Sequence, residues 1–306
     1  MRRMLSLSRF VGFVVLALNL GACVGEPESA STVQAADERD PIPDLPAPPV
    51  TSNPADPTLV EWAEATHVNI STIAAQRWGL PPSRVAVIGP TGDDPDHYEG
   101  GVENGFNQQW SHAYLYSSLG FWLWGDANEN FDDCITGRLA GQLEGPECKD
   151  GQSAALHYGR GDQIQGDRFV GYATHYIEDV CQVLHASSPS ADMLTHHFAY
   201  EGWVASNWTA GHNFASSVTA DNAYYAISDL QQSIRNAAWA ASYWNRSGAG
   251  RKVWDNYRSS GYPTAAGTGN AALVQYTREL LIRAARYATG TVKYALDRYG
   301  QWTSIY

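Results

Sequence analysis

An all-α fold, a multi-helix domain with long loops, is what the patterning of this chain predicts. Three observations carry that expectation. Apolar residues recur at helical spacing in most long segments, nothing alternates with period two for long, and no internal repeat appears. In chain order, residues 57–75 mix apolar and polar positions helically and stop near Trp78-Gly79-Leu80-Pro81-Pro82, where glycine and two prolines end a helix. The aromatic stretch from Asn107 to about Leu123 reads as helical. Residues 151–158 and 163–184 read as a helix pair around Gly159-Arg160-Gly161-Asp162. Ser188-Pro189-Ser190 reads as a turn before the helix carrying His197 and Glu201. Two further helices are expected over 220–245 and 269–298. The last carries a broad stripe of Leu273, Tyr276, Leu280, Leu281, Ala284 and Tyr287.

The first residues address location instead of fold. Arg2, Arg3 and Arg9 precede a largely apolar run from Phe10 to Leu20, and small residues lead into Cys23. Residues 1–22 read as a signal peptide, too short and wrongly flanked to span a membrane as a helix. Leu20-Gly21-Ala22-Cys23 also fits a lipoprotein signal, cleaved before Cys23 with lipid on its thiol, with an ordinary cleavage nearby as the alternative. Residues 23–55 read as a flexible tether, because Pro41, Pro43, Pro46, Pro48, Pro49 and Pro54 restrict pairing and few large apolar side chains offset the entropy of ordering. Residues 56–306 then fit one domain with a substantial core. The expected location is exported: an outer-membrane or cell-surface lipoprotein, or a secreted protein, and a monomer.

The net charge is −12, and removal of a leader with three arginines and no acidic residue takes it to −15. Such a body repels polyanions unless metals or a local patch reverse the sign, which argues against nucleic acid as a partner. Cys134 and Cys148 could close a disulfide around a glycine-rich segment, reasonable in an exported protein. Cys181 reads as a small buried hydrophobe.

The densest chemistry lies in His175-x3-Asp179-x5-His185 followed by His197-x3-Glu201. Four of the nine histidines, counting His196, fall in this stretch. The i,i+4 spacing places His175 and Asp179 on one helical face, and His197 and Glu201 on another. Imidazole with carboxylate suits zinc. A carboxylate such as Asp179 can bridge two ions, and ions about 3.5–4 Å apart can activate a water against a phosphoryl group. His97, His157 and His212 are isolated and read as ordinary core or surface residues.

The run from His175 through Tyr176, Ile177, Glu178, Asp179 and Gln182 to His185 resembles the central motif of the bacterial zinc-dependent phospholipases C, and the related single-strand nucleases carry a similar one. Glu178 stands where those phospholipases have glycine, and Val183 where they have proline. His197-Phe198-Ala199-Tyr200-Glu201 resembles the next family motif. Gly171-Tyr172-Ala173 resembles the helix leading into the motif. Thr66-His67, Pro95-Asp96, His112 in Trp110-Ser111-His112, and the Asp/Asn-rich segment from Phe121 to Phe131 resemble the upstream elements. The resemblance covers about residues 60–210. It implies an all-α domain holding two or three Zn2+ ions. One ion would take Asp96, His112, His175 and Asp179; a second His185, His197 and Glu201; a third His67 and Asp179. Asp94 competes with Asp96, and the preceding Pro95 favours Asp96. In the family, an N-terminal tryptophan completes the third site. Here Trp62 is internal unless a second cleavage exposes it, so that ion is weak, is completed by water or Glu64, or is missing.

The implied activity is hydrolysis of phospholipid phosphodiester bonds, with Asp96 and Asp179 in catalytic roles and a membrane surface met through the lipid anchor. Phe106, Trp110, Tyr114, Phe121 and Trp122 could line an apolar approach for acyl chains, or could be helix core. A single-strand nuclease or other phosphodiesterase is the first alternative. A metal-stabilised surface interaction protein with little activity is the second.

Overall fold

The computed structural model describes residues 65–97, 112–116, 122–137, 148, 152–187, 190–246, 252–253, 255–257 and 260–300. The leader, Cys23, the tether, Trp62, Glu64, Phe106, Trp110 and Phe121 lie outside these residues, as do the side chains of Asp96, His97, Trp122 and His197. Regular structure in the described residues is almost entirely helical, with one short antiparallel strand pair. None of the described helices is long and apolar enough to cross a membrane.

Helix α1 (Ala65–Arg77) ends at Trp78-Gly79, where Gly79 takes φ 63°. Pro82 opens α2 (Pro82–Thr91), and a short 3-10 turn follows at Asp94–His97. After the strands come α3 (Ala127–Thr136), α4 (Ala154–Gly159), α5 (Gln163–Val180), α6 (Val183–Ser187) and α7 (Ser190–Ser206). The chain finishes with α8 (Phe214–Ala220), α9 (Leu230–Arg246) and α10 (Ala271–Arg298). Side chains cap several helix starts. Ser153 Oγ accepts from Leu156 N, Asp162 Oδ1 from Gln165 N, and Asn270 Oδ1 from Leu273 N at 2.9 Å.

Helix α5 is the axis of the domain and packs against α2, α3, α4 and α10. Its residues from Phe169 to Val180 are buried apart from half-buried Tyr172. Close approach to α2 depends on Gly171, because a Cβ there would lie 2.0 Å from Thr91 Oγ1 and 2.8 Å from Ile88 O. Helix α10 buries Leu273, Leu280, Leu281, Ala284 and Tyr287 of its predicted stripe, with Tyr276 half-buried. Trp78 Nε1 donates to Thr289 O at 2.8 Å and ties the end of α1 to α10. Cys134 on α3 is joined to Cys148 by a disulfide with Cα atoms 5.0 Å apart.

Three expectations about the elements are corrected. Within the stretch read as helix from Asn107 to Leu123, Leu115–Tyr116 (β1) pairs antiparallel with Trp122–Trp124 (β2). Aromatic side chains fit a short ladder as well as a helix face, and Gly125 at φ 117° passes so close to Ala113 O that a Cβ would lie 2.0 Å from it. The helix expected over 163–184 stops at Val180. Gln182 Oε1 there accepts from Leu184 N at 3.1 Å and starts the separate turn α6. The helix expected from 220 begins only at Leu230, after Asp229 Oδ1 accepts from Gln232 N at 2.8 Å. The preceding chain instead lies along α10, with Tyr225 N donating to Arg286 O and Asp221 receiving the Arg286 guanidinium at 2.9 and 2.7 Å.

Candidate metal centre

The C-terminal part of α5 meets the first turn of α1 in a buried group of ionisable side chains. His67, His175 and Asp179 are 1%, 0% and 2% exposed, and each offers a ligand atom within 4.8 Å of the others. Charged groups are rarely buried together unless something compensates them. His67 Nε2 lies 3.3 Å from Asp179 Oδ1, and His175 Nε2 lies 3.0 Å from Asp179 Oδ2. His112, from the segment ahead of β1, brings Nδ1 to 2.8 Å from both Asp179 Oδ2 and His175 Nε2. Asp179 thus meets three imidazoles with two oxygens.

The ring orientations suit metal binding. His175 donates from Nδ1 to Gly92 O at 2.8 Å, which turns Nε2 toward Asp179, where it donates to the carboxylate or, once deprotonated, can ligate a metal. His67 directs Nδ1 at Glu178 Oε2, 2.8 Å away, and so turns Nε2 toward the same carboxylate. The two rings stack with centroids 4.2 Å apart, and His112 meets His175 edge-on. Two imidazole nitrogens and a carboxylate converging in a buried space are a donor set zinc accepts. The fold and site therefore define an all-helical domain with a buried His/His/Asp group able to coordinate one metal ion.

Electrostatics follow the same geometry. Burial opposes the charge of Asp179, yet His175 and His185, with hydrogen bonds from His112 and His175, hold its carboxyl well below the usual range. Burial and neighbouring His175 oppose a charge on His67, and the carboxylates of Asp179 and Glu178 outweigh them, raising its pKa to about 9. Burial pushes Glu178 up to about 7 against the hydrogen bond from His67. Burial also pushes the Cys181 thiol up, and the side chain is fully enclosed, as expected of a core residue.

Farther along, the break after α5 turns His185 toward α7. Its Nε2 lies 3.4 Å from Oε1 of fully buried Glu201, which also accepts from Gln182 Nε2. Helix α7 is held there by Tyr200 Oη, 3.0 Å from Thr277 Oγ1, and by Trp203 Nε1 donating to Thr268 O. His197 lies on the same helix. Asp94 and Asp96 lie in the 3-10 turn, which packs against α2 and α5. His157 stands apart, 3.0 Å from Gln152 Oε1 and stacked on Phe169, and His212 contacts Thr268 O. Tyr114 is buried in the core, and its backbone N donates to His185 O.

His67 and His175, expected on separate ions that share Asp179, are both brought within reach of that carboxylate in one group. Sequence reasoning missed the partners that orient these ligands: Glu178, Ser71, Thr174 and the carbonyl of Gly92. Only Glu178 left a signal, a carboxylate beside Asp179 where the resembled motif has glycine. Comparison with protein-family models and with curated proteins finds no match to this chain.

Proposed function

We propose that the chain is an exported zinc-dependent phosphodiester hydrolase that cleaves phospholipids as a phospholipase C does, carried on the membrane by lipid at Cys23. The observation behind this reading is the buried group of His67, His175 and Asp179. Two of these residues belong to the motif that resembles that family, and the third belongs to its upstream element. Bound zinc would supply an activated water and polarise the phosphoryl oxygen.

The residues divide the remaining work. Asp179, kept ionised, balances the charge of the centre, and His175 is fixed in one tautomer by Gly92 O. His112 supplies a further nitrogen against Asp179. His185, His197 and Glu201 form the second ligand group of this reading, and Asp96 orients or deprotonates the attacking water. In the overall reaction the water oxygen bonds to phosphorus and the bond from phosphorus to the glycerol oxygen breaks. That oxygen takes a proton, giving diacylglycerol and the phosphorylated headgroup.

Incubation with phosphatidylcholine vesicles tests the reading. Release of diacylglycerol and phosphocholine, abolished by chelation and restored by zinc, supports it. Cleavage of single-stranded nucleic acid without lipid cleavage would make the chain a nuclease. Bound zinc with neither activity would make it a metal-stabilised interaction protein.

A further inference from the structure

Glu178 has no part in the ligand sets above, yet it is 1% exposed at the centre of the domain. A buried carboxylate is retained only with strong partners. Its Oε2 meets His67 Nδ1 at 2.8 Å, and its Oε1 accepts from Ser71 Oγ at 3.0 Å. Ser71 Oγ is in turn 2.7 Å from Thr174 Oγ1, which also reaches Gly171 O at 2.7 Å. His67 and Ser71 stand one turn apart on α1, and Thr174 and Glu178 one turn apart on α5. The four side chains therefore form one polar seam between two helices, ending on the ring nitrogen opposite the one that faces Asp179.

We propose that Glu178 is a positioning residue for His67: a buried carboxylate–imidazole pair that fixes the ring with Nε2 toward Asp179 and strengthens it as a metal ligand. The inference rests on the metal-centre reading. A carboxylate on the far nitrogen selects the Nδ1–H tautomer and raises the basicity of Nε2, and loss of such a partner typically costs 10–100-fold in metal affinity. Ser71 holds the second oxygen, so the carboxylate cannot rotate away without losing that bond. The pair supplies locally a hold on His67 that does not depend on where the mature chain begins.

Zinc affinity, measured by competition with a chromophoric chelator on the purified protein, tests this with a double-mutant cycle. Glu178→Gln keeps the shape and an acceptor but removes the charge. It is expected to weaken zinc about 10-fold or more, with the metal-free melting temperature close to wild type. In a His67→Ala background the same change should have little further effect, because the two act as one unit. Affinity within twofold of wild type in Glu178→Gln would overturn the proposal, as would an undiminished effect in the His67→Ala background. An affinity loss matched by a large fall in metal-free stability would also overturn it, in favour of a purely structural seam. A wild-type protein that binds no zinc would instead sink the metal-centre reading itself.

Discussion

His175 donates from Nδ1 to the carbonyl of Gly92 at 2.8 Å, and its opposite nitrogen stands 3.0 Å from Asp179 Oδ2. One backbone oxygen just after α2 thereby sets the direction of a side chain in the C-terminal part of α5. The same carboxylate receives His112 at 2.8 Å and faces His67 at 3.3 Å, so Asp179 is the point on which the candidate centre converges.

Asp179→Asn keeps size while removing that charge. Near-complete loss of phospholipid cleavage is expected, with partial loss of metal, whereas His157→Gln, whose ring lies against Gln152 and Phe169, stays close to wild type. Headgroup release by both variants under identical conditions is the measurement. Equal activities would mean that the chemistry lies elsewhere.

The α2–α5 contact offers a test of packing. A side chain at position 171 meets Thr91 Oγ1 and Ile88 O, so Gly171→Val should destabilise the fold by about 1–3 kcal/mol through overpacking. It should also weaken metal binding, since Gly92 and His175 sit on the two elements forced apart. Chemical denaturation with and without zinc reads both effects; unchanged stability would contradict the close contact.

How much of this was readable beforehand varied with the range of the interaction. Helix α10 was legible because its apolar stripe is a local pattern. The pairing of His175 with Asp179 was legible because i,i+4 spacing alone brings them together. The β1–β2 pair was not, since two strands of two and three residues are too short to show a period, and the close approach of Gly125 to Ala113 is not a local signal. The late start of α9 was hidden because Tyr225 finds its partner on α10. Glu178 was seen as a departure from a motif, but its role depends on His67, 111 positions away.

Proton linkage gives the metal-free protein a definite pH dependence. His67 is raised from 6.5 to about 9 and Glu178 from 4.5 to about 7, so these two groups hold more protons in the folded chain than in the unfolded one across these windows. Stability then falls as pH rises, through Glu178 between about 4.5 and 7 and through His67 between about 6.5 and 9. Asp179, lowered, acts oppositely and its contribution is lost only under strong acid. Melting curves in chelator should therefore decline from pH 5 to pH 9, while the stabilisation by added zinc grows, because ligands must lose protons to bind it. A metal-free melting temperature that rises over this range would contradict the assignment.

The proposed anchor is testable apart from the site. Cys23→Ser should abolish diacylglyceryl modification and release the protein from membranes while the helical domain still folds. Mass spectrometry of the mature N-terminus decides it; an unmodified Cys23 in the native mature chain, or a terminus beyond Cys23, would reject lipidation.

The most direct test of the account is the zinc content of the purified wild-type protein after mild dialysis, set beside that of Asp179→Asn. Elemental analysis is expected to find two or three ions per chain in the wild type, and in any case the one that His67, His175 and Asp179 can hold, with a reduced value in the variant. Well under one ion per chain in a folded wild-type protein would contradict it.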